Sequence, residues 1–72
     1  MRNRVREVRK SMGWTIRDLQ MATGLAHGFL SDVETGKKIP SVLNALKIAN
    51  ALGRTVEYLF PFPDGDDIQL SA

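Results

Sequence analysis

The sequence predicts an all-α fold, a five-helix bundle built from residues 1–60, and three observations carry that expectation. Apolar residues recur at steps of three and four along successive segments. Glycines and capping hydroxyls fall at the segment ends. No convincing strand pattern occurs before residue 61. With 72 residues the chain makes one small domain, near the size at which a single hydrophobic core is only just sufficient.

The first helix is expected over residues 2–12, where Val5, Val8 and Met12 share a face. Gly13 ends it, where a left-handed cap is wanted. Thr15 reads as the next N-cap, with Asp18 three residues on to complete a capping box. Trp14 and Leu19 stand at the two positions of a hydrophobic staple around that cap, so Trp14 is expected in the core. The second helix stops near Thr23 and Gly24. A third starts around Ala26, with Leu30 and Val33 inward and Leu25 just ahead of it. In "TGKKIPS", Pro40 cannot extend a helix and Ser41 can cap one. The fourth helix, residues 41–52, is expected to bury Leu43, Leu46, Ile48 and Ala49 before Gly53 closes it. A short last helix over residues 55–60 brings Val56, Leu59 and Phe60. The prolines at 61 and 63 stop it, and residues 61–72, "PFPDGDDIQLSA", read as an acidic, flexible tail. Within it "IQL" could form a brief strand, with disorder the expected state. A calcium loop begun at Asp64 would need a carboxylate at its twelfth position, past residue 72, so no metal is expected there.

Composition removes several function classes. There is no cysteine, which excludes a disulfide framework and cysteine-ligated zinc and suits a cytoplasmic setting. No run of about 18 apolar residues spans a membrane, and the basic start "MRNRVREVRK" is not followed by the apolar stretch of a secretory signal. One histidine and no paired carboxylates leave no nucleophile–base constellation, so an enzyme is not expected, nor a cofactor or a small-molecule substrate. The charge is unevenly spread. Arg2, Arg4, Arg6, Arg9 and Lys10 face Glu7 alone in the first ten residues, and residues 11–54 add a further surplus of two positive charges. Residues 55–72 carry Glu57, Asp64, Asp66 and Asp67 with no base. A basic body suits a polyanionic partner, although a solvated helix face has the same composition.

Two short helices joined through a glycine turn, on a basic all-α body, describe a helix-turn-helix at the second and third helices. From Val5 to Phe60 the chain also resembles the Cro/phage-repressor (XRE-type) helix-turn-helix family, through "VREVRKSMGWT", the "DL" at residues 18 and 19, "TGLAHGFLSDVETGK", "PS" and "ALKIANALGRTVEYLF" in order and spacing. The resemblance implies a lambda-repressor-like, five-helix DNA-binding domain whose third helix lies in the major groove. It further implies a bacterial or phage transcription regulator, most often a repressor, that binds a palindromic operator on double-stranded DNA as a homodimer.

Site residues follow from that resemblance position by position. Arg9 matches the helix-one arginine that pairs with the glutamate ending helix three, here Glu34, in a structural role. Thr35, Gly36 and Lys37 match the loop whose backbone and basic side chains meet phosphate, and Lys38 lies beside them; an ordinary solvated loop is the alternative at both lysines. Relatives carry Gln where this chain has Ile16, so Thr15 and Arg17 would have to make the phosphate contacts at that end. Gln20 replaces a small residue at the crossing of helices two and three. The groove-facing set becomes Ala26, His27, Gly28, Phe29 and Asp32, with Ser31 nearer the phosphates.

That set is poor in bidentate readers. Phe29 could pack on thymine methyls or fold back over Trp14 or Leu30, and His27 could reach a phosphate or a guanine. Asp32 could accept from cytosine N4 but repels phosphate. Gly28 costs about 1 kcal/mol inside a helix relative to alanine, and either gives close backbone approach or marks an unconstrained site. Base reading is therefore expected to be weak and partly through methyl groups and DNA shape. Val56, Leu59, Phe60 and Phe62 make the candidate dimer patch, unless those rings close the monomer's own core. A second function class stays open: a protein-interaction module on the same fold, serving a protein partner with weak or no base reading.

Overall fold

The computed structural model describes residues 2–61. Five helices follow in order: α1 (Val5–Ser11), α2 (Ile16–Thr23), α3 (His27–Glu34), α4 (Val42–Leu52) and α5 (Val56–Leu59). The described residues contain no strand. Phe62 and the acidic residues of the expected tail lie outside the described residues. Helices of 7 to 11 residues are marginal alone, so packing must hold them. Val5, Val8, Leu19, Leu30, Val33, Ala45, Ile48, Ala49, Leu52, Leu59 and Phe60 form one buried core shared by all five. Each large aliphatic side chain fully buried there contributes about 1.5–3 kcal/mol. Trp14, Ile16, Leu25, Phe29 and Val56 pack against it half-buried.

Local chemistry sets the helix ends. Thr15 Oγ1 accepts from the Asp18 N–H at 3.1 Å while Asp18 Oδ2 accepts from the Thr15 N–H at 2.8 Å, completing the capping box. Ser41 and Thr55 cap α4 and α5 by accepting from the N–H groups of Asn44 and Tyr58. Gly24, at φ 77°, makes the left-handed turn that redirects the chain from α2 to α3. The Thr23 hydroxyl tightens this turn, donating to the Leu19 carbonyl and accepting from the Leu25 N–H.

Three expectations need correction. The first helix begins at Val5, because the Arg4 N–H leaves the helix to meet the Leu59 carbonyl at 2.8 Å and Asn3 Oδ1 takes the Val5 N–H. Leu43 and Leu46 are not buried: they are 63% and 47% exposed, and the inward stripe of α4 is Ala45, Ile48, Ala49 and Leu52. That stripe follows the i, i+3, i+4, i+7 rows that face α1, α2 and α5, with Leu43 and Leu46 turned off its edge. Leu59 is fully buried and Phe60 is 8% exposed, so both close the chain's own core and present little surface for a dimer. Val56 alone of the expected patch that is described remains half-buried at the surface.

Candidate nucleic-acid interface

A buried ion pair fixes α3 against α1. Arg9 Nε donates to Glu34 Oε2 at 2.7 Å and Nη2 to Oε1 at 3.0 Å, a bidentate fork. Its third arm, Nη1, donates to the Trp14 carbonyl at 2.8 Å. Both side chains are under a tenth exposed, and the hydrogen bond to Glu34 raises the Arg9 pKa further above its ordinary value against the opposing pull of burial. Asn3 adds a tie invisible in the sequence pattern: its amide donates to the Val33 carbonyl at 2.8 Å, next to Glu34. The C-terminal end of α3 is therefore held from two points on the N-terminal segment.

The N-terminal end of α3 is left open. Ala26 is its N-cap and offers no side-chain hydrogen bond, unlike Thr15, Ser41 and Thr55 on their helices. Ala26, His27 and Gly28 are exposed there. First-turn N–H groups have no partner within a helix, so this end presents donors and positive dipole outward. Arg17, Gln20 and Met21 from α2 join His27 around one shallow depression, so Gln20 extends along the edge between the two helices. Met21, 78% exposed, was not among the expected site residues. Arg17 and Thr15 are exposed beside this edge, with the Thr15 oxygen engaged in its cap. Ile16, at the place where relatives would carry Gln, turns inward onto the core.

The rest of the expected reading set divides. Phe29 packs half-buried against the core, taking the inward of its two readings. Ser31 and Asp32 are half-buried. Lys38 Nζ lies 3.7 Å from Asp32 Oδ2 and 5.9 Å from the Phe29 ring centroid, so one ammonium offsets the Asp32 charge and covers the ring. Lys37 is exposed and makes no such pair. In the loop after α3 the backbone is turned inward: the N–H groups of Lys37 and Lys38 bond the Asp32 carbonyl, Gly36 bonds Val33, and Thr35 bonds Ser31. The Thr35 hydroxyl also donates to the Ser31 and Asp32 carbonyls. Phosphate contact from this loop therefore falls to side chains, chiefly Lys37, rather than to the loop amides.

Gly28 faces open space, since a Cβ built there meets nothing within 4 Å. Gly28→Ala is expected to stabilise the fold by about 1 kcal/mol, read as a higher urea midpoint with unchanged slope; destabilisation would show that the site is constrained.

A small all-α domain with an outward-facing α3, locked at one end and bare at the other, beside exposed basic side chains, is built to meet a polyanion. Residues 5–59 match the helix-turn-helix family model. The chain is 38% identical over 64 residues to an uncharacterized HTH-type transcriptional regulator of Archaeoglobus fulgidus, covering 89% of this chain and 91% of that one. It is 33% identical over 60 residues to a similar regulator of Bacillus subtilis, covering 83% and 91%. Its fold superposes with a TM-score of 0.74 on the restriction-modification controller protein C.AhdI from Aeromonas hydrophila, at 35% identity, covering 79% of this chain and 86% of that one. The chain belongs to the XRE-type helix-turn-helix family of DNA-binding transcriptional regulators. No helix among the described residues is long and apolar enough to cross a membrane.

Proposed function

We propose that the chain is an operator-binding regulator, acting as a repressor by occupancy, that reads a palindromic DNA site as a homodimer with the α3 N-terminus in the major groove. The observation that carries this reading is the asymmetry of α3. Its C-terminal end is clamped by Arg9, Glu34 and Asn3, while Ala26, His27 and Gly28 are exposed at the other end. Bare backbone at Gly28 lets α3 approach base edges closely, and Arg17 and Lys37 supply phosphate contacts to either side. Only His27 among the exposed α3 residues can hydrogen-bond a base, so each half-site is read by few contacts, and phosphates supply most of the affinity.

One α3 in one groove is too little for a tight site, which favours two copies on half-sites one helical turn apart. The surface that suits a second copy is the outer face of α4 with the preceding loop. Ile39, Val42, Leu43 and Leu46 are 47–78% exposed there, and Val56 lines the same groove. Such a contiguous apolar face on a small protein marks an association surface. Val42→Glu is expected to convert the protein to monomer in sedimentation equilibrium with its unfolding midpoint nearly unchanged; an unaltered assembly state would remove this face from the dimer.

Selection on a random duplex pool at near-physiological salt tests the reading as a whole. An enriched inverted repeat is expected. Retention without enrichment would contradict sequence reading, and no retention would shift the fold to service of a protein partner.

A further inference from the structure

A second basic centre lies away from the exposed start of α3, around Tyr58 on α5. The Arg4 guanidinium carbon is 4.7 Å and that of Arg54 is 5.2 Å from the Tyr58 ring centroid, so two cations share one ring. Arg4 Nη1 donates to the Tyr58 carbonyl at 2.8 Å, and the Arg4 N–H meets Leu59, which fixes the first guanidinium to the end of α5. Arg54 is exposed and makes no hydrogen bond or ion pair among the described residues. Arg2 and Arg4 line an adjoining depression with Asn3, Glu7 and Pro61. The only acid there is Glu7, and it forms no salt bridge with either arginine. Ring stacking holds guanidinium planes while leaving their N–H edges outward, the arrangement that takes a carboxylate in a forked pair.

We propose that this arginine–tyrosine centre binds the chain's own acidic segment, Asp64, Asp66 and Asp67. Three features favour that occupant. The segment is tethered at Pro61, which itself lines the depression beside Arg2 and Arg4. Asp64 follows only three residues later, within about 10 Å of extended chain. The charges match: three carboxylates in four residues meet Arg2, Arg4 and Arg54. The consequence is regulatory. Residues 2–61 carry a surplus of five positive charges, and the docked segment brings the chain to +2, which lowers attraction to DNA of any sequence without touching α3.

The test uses the full chain with Asp64, Asp66 and Asp67 replaced by Asn, alone and combined with Arg54→Gln. The arginine Nε–Hε resonances of Arg4 and Arg54 are expected to shift between wild type and the triple variant at 20 mM salt, and the difference to vanish at 0.5 M salt. Affinity for a random-sequence duplex at low salt is expected to tighten roughly three- to tenfold in the triple variant. In the Arg54→Gln background that gain should shrink to under about twofold. Unshifted arginine resonances would overturn the proposal whatever the DNA result. A gain undiminished by Arg54→Gln would mean that the carboxylates repel DNA without docking, which also overturns it. Shifts that grow with protein concentration would assign the segment to a second copy and overturn the intramolecular contact. Because the resonance readout needs no DNA, it stands apart from the proposed operator reading.

Discussion

Arg9→Ala is expected to leave the chain largely unfolded at 25 °C. Breaking a buried ion pair by removing one partner costs about 3–5 kcal/mol. A domain of this size has only several kcal/mol in total, at about 0.05–0.15 kcal/mol per residue. The loss here has two parts: Glu34 is left as a buried carboxylate with neither of its guanidinium bonds, and the Trp14 carbonyl loses its donor. Glu34→Ala is expected to cost a similar amount by stranding Arg9. Replacing both at once, Arg9→Met with Glu34→Leu, should be milder than either single change, because two apolar groups leave no uncompensated charge. Urea denaturation followed by Trp14 fluorescence measures all three. A double variant as unstable as the sum of the singles would show that the pair acts as two independent anchors.

Arg17→Ala with Lys37→Ala is expected to weaken binding to every duplex and to flatten its salt dependence. Each phosphate contact on duplex DNA contributes about 0.9 to the slope of log affinity against log salt, so two lost contacts should lower the slope by nearly two. Both side chains are exposed and unpaired, so folding stability should stay within about 0.5 kcal/mol of wild type. Lys38→Ala should reduce the slope less, because its ammonium already lies against Asp32 and Phe29. Fluorescence anisotropy over a range of salt reads these effects. An unchanged slope in the Arg17 and Lys37 variant would place the phosphate track on another face.

The helices, their caps and the Arg9–Glu34 pair were legible because each rests on local chemistry. Thr15 and Asp18 are three residues apart, Gly24 takes the turn no other residue takes cheaply, and Glu34 ends a helix whose length is set by Gly24 and Gly36. What was not legible depends on how helices rotate against each other. Leu43 and Leu46 look like core residues by periodicity, yet α4 turns Ala45 and Leu52 inward, because α1, α2 and α5 all press on that narrower stripe. The same rotation moves the association surface from Leu59 and Phe60 to the outer face of α4. Asn3 carried no periodic or motif signal, since its amide acts on Val33, thirty residues away. The lysine pair after α3 looked equivalent in sequence, and only the fold separates Lys37 from Lys38.

The most direct measurement is site-directed DNA cleavage from the start of α3. The chain has no cysteine, so His27→Cys offers a unique attachment point for a cleaving reagent at an exposed position. On a site recovered by selection, cleavage is expected in two clusters, each centred on a major-groove face and separated by about one helical turn of 34–36 Å. A single cluster, or cuts scattered without regard to sequence, would contradict a symmetric operator read by the N-terminus of α3.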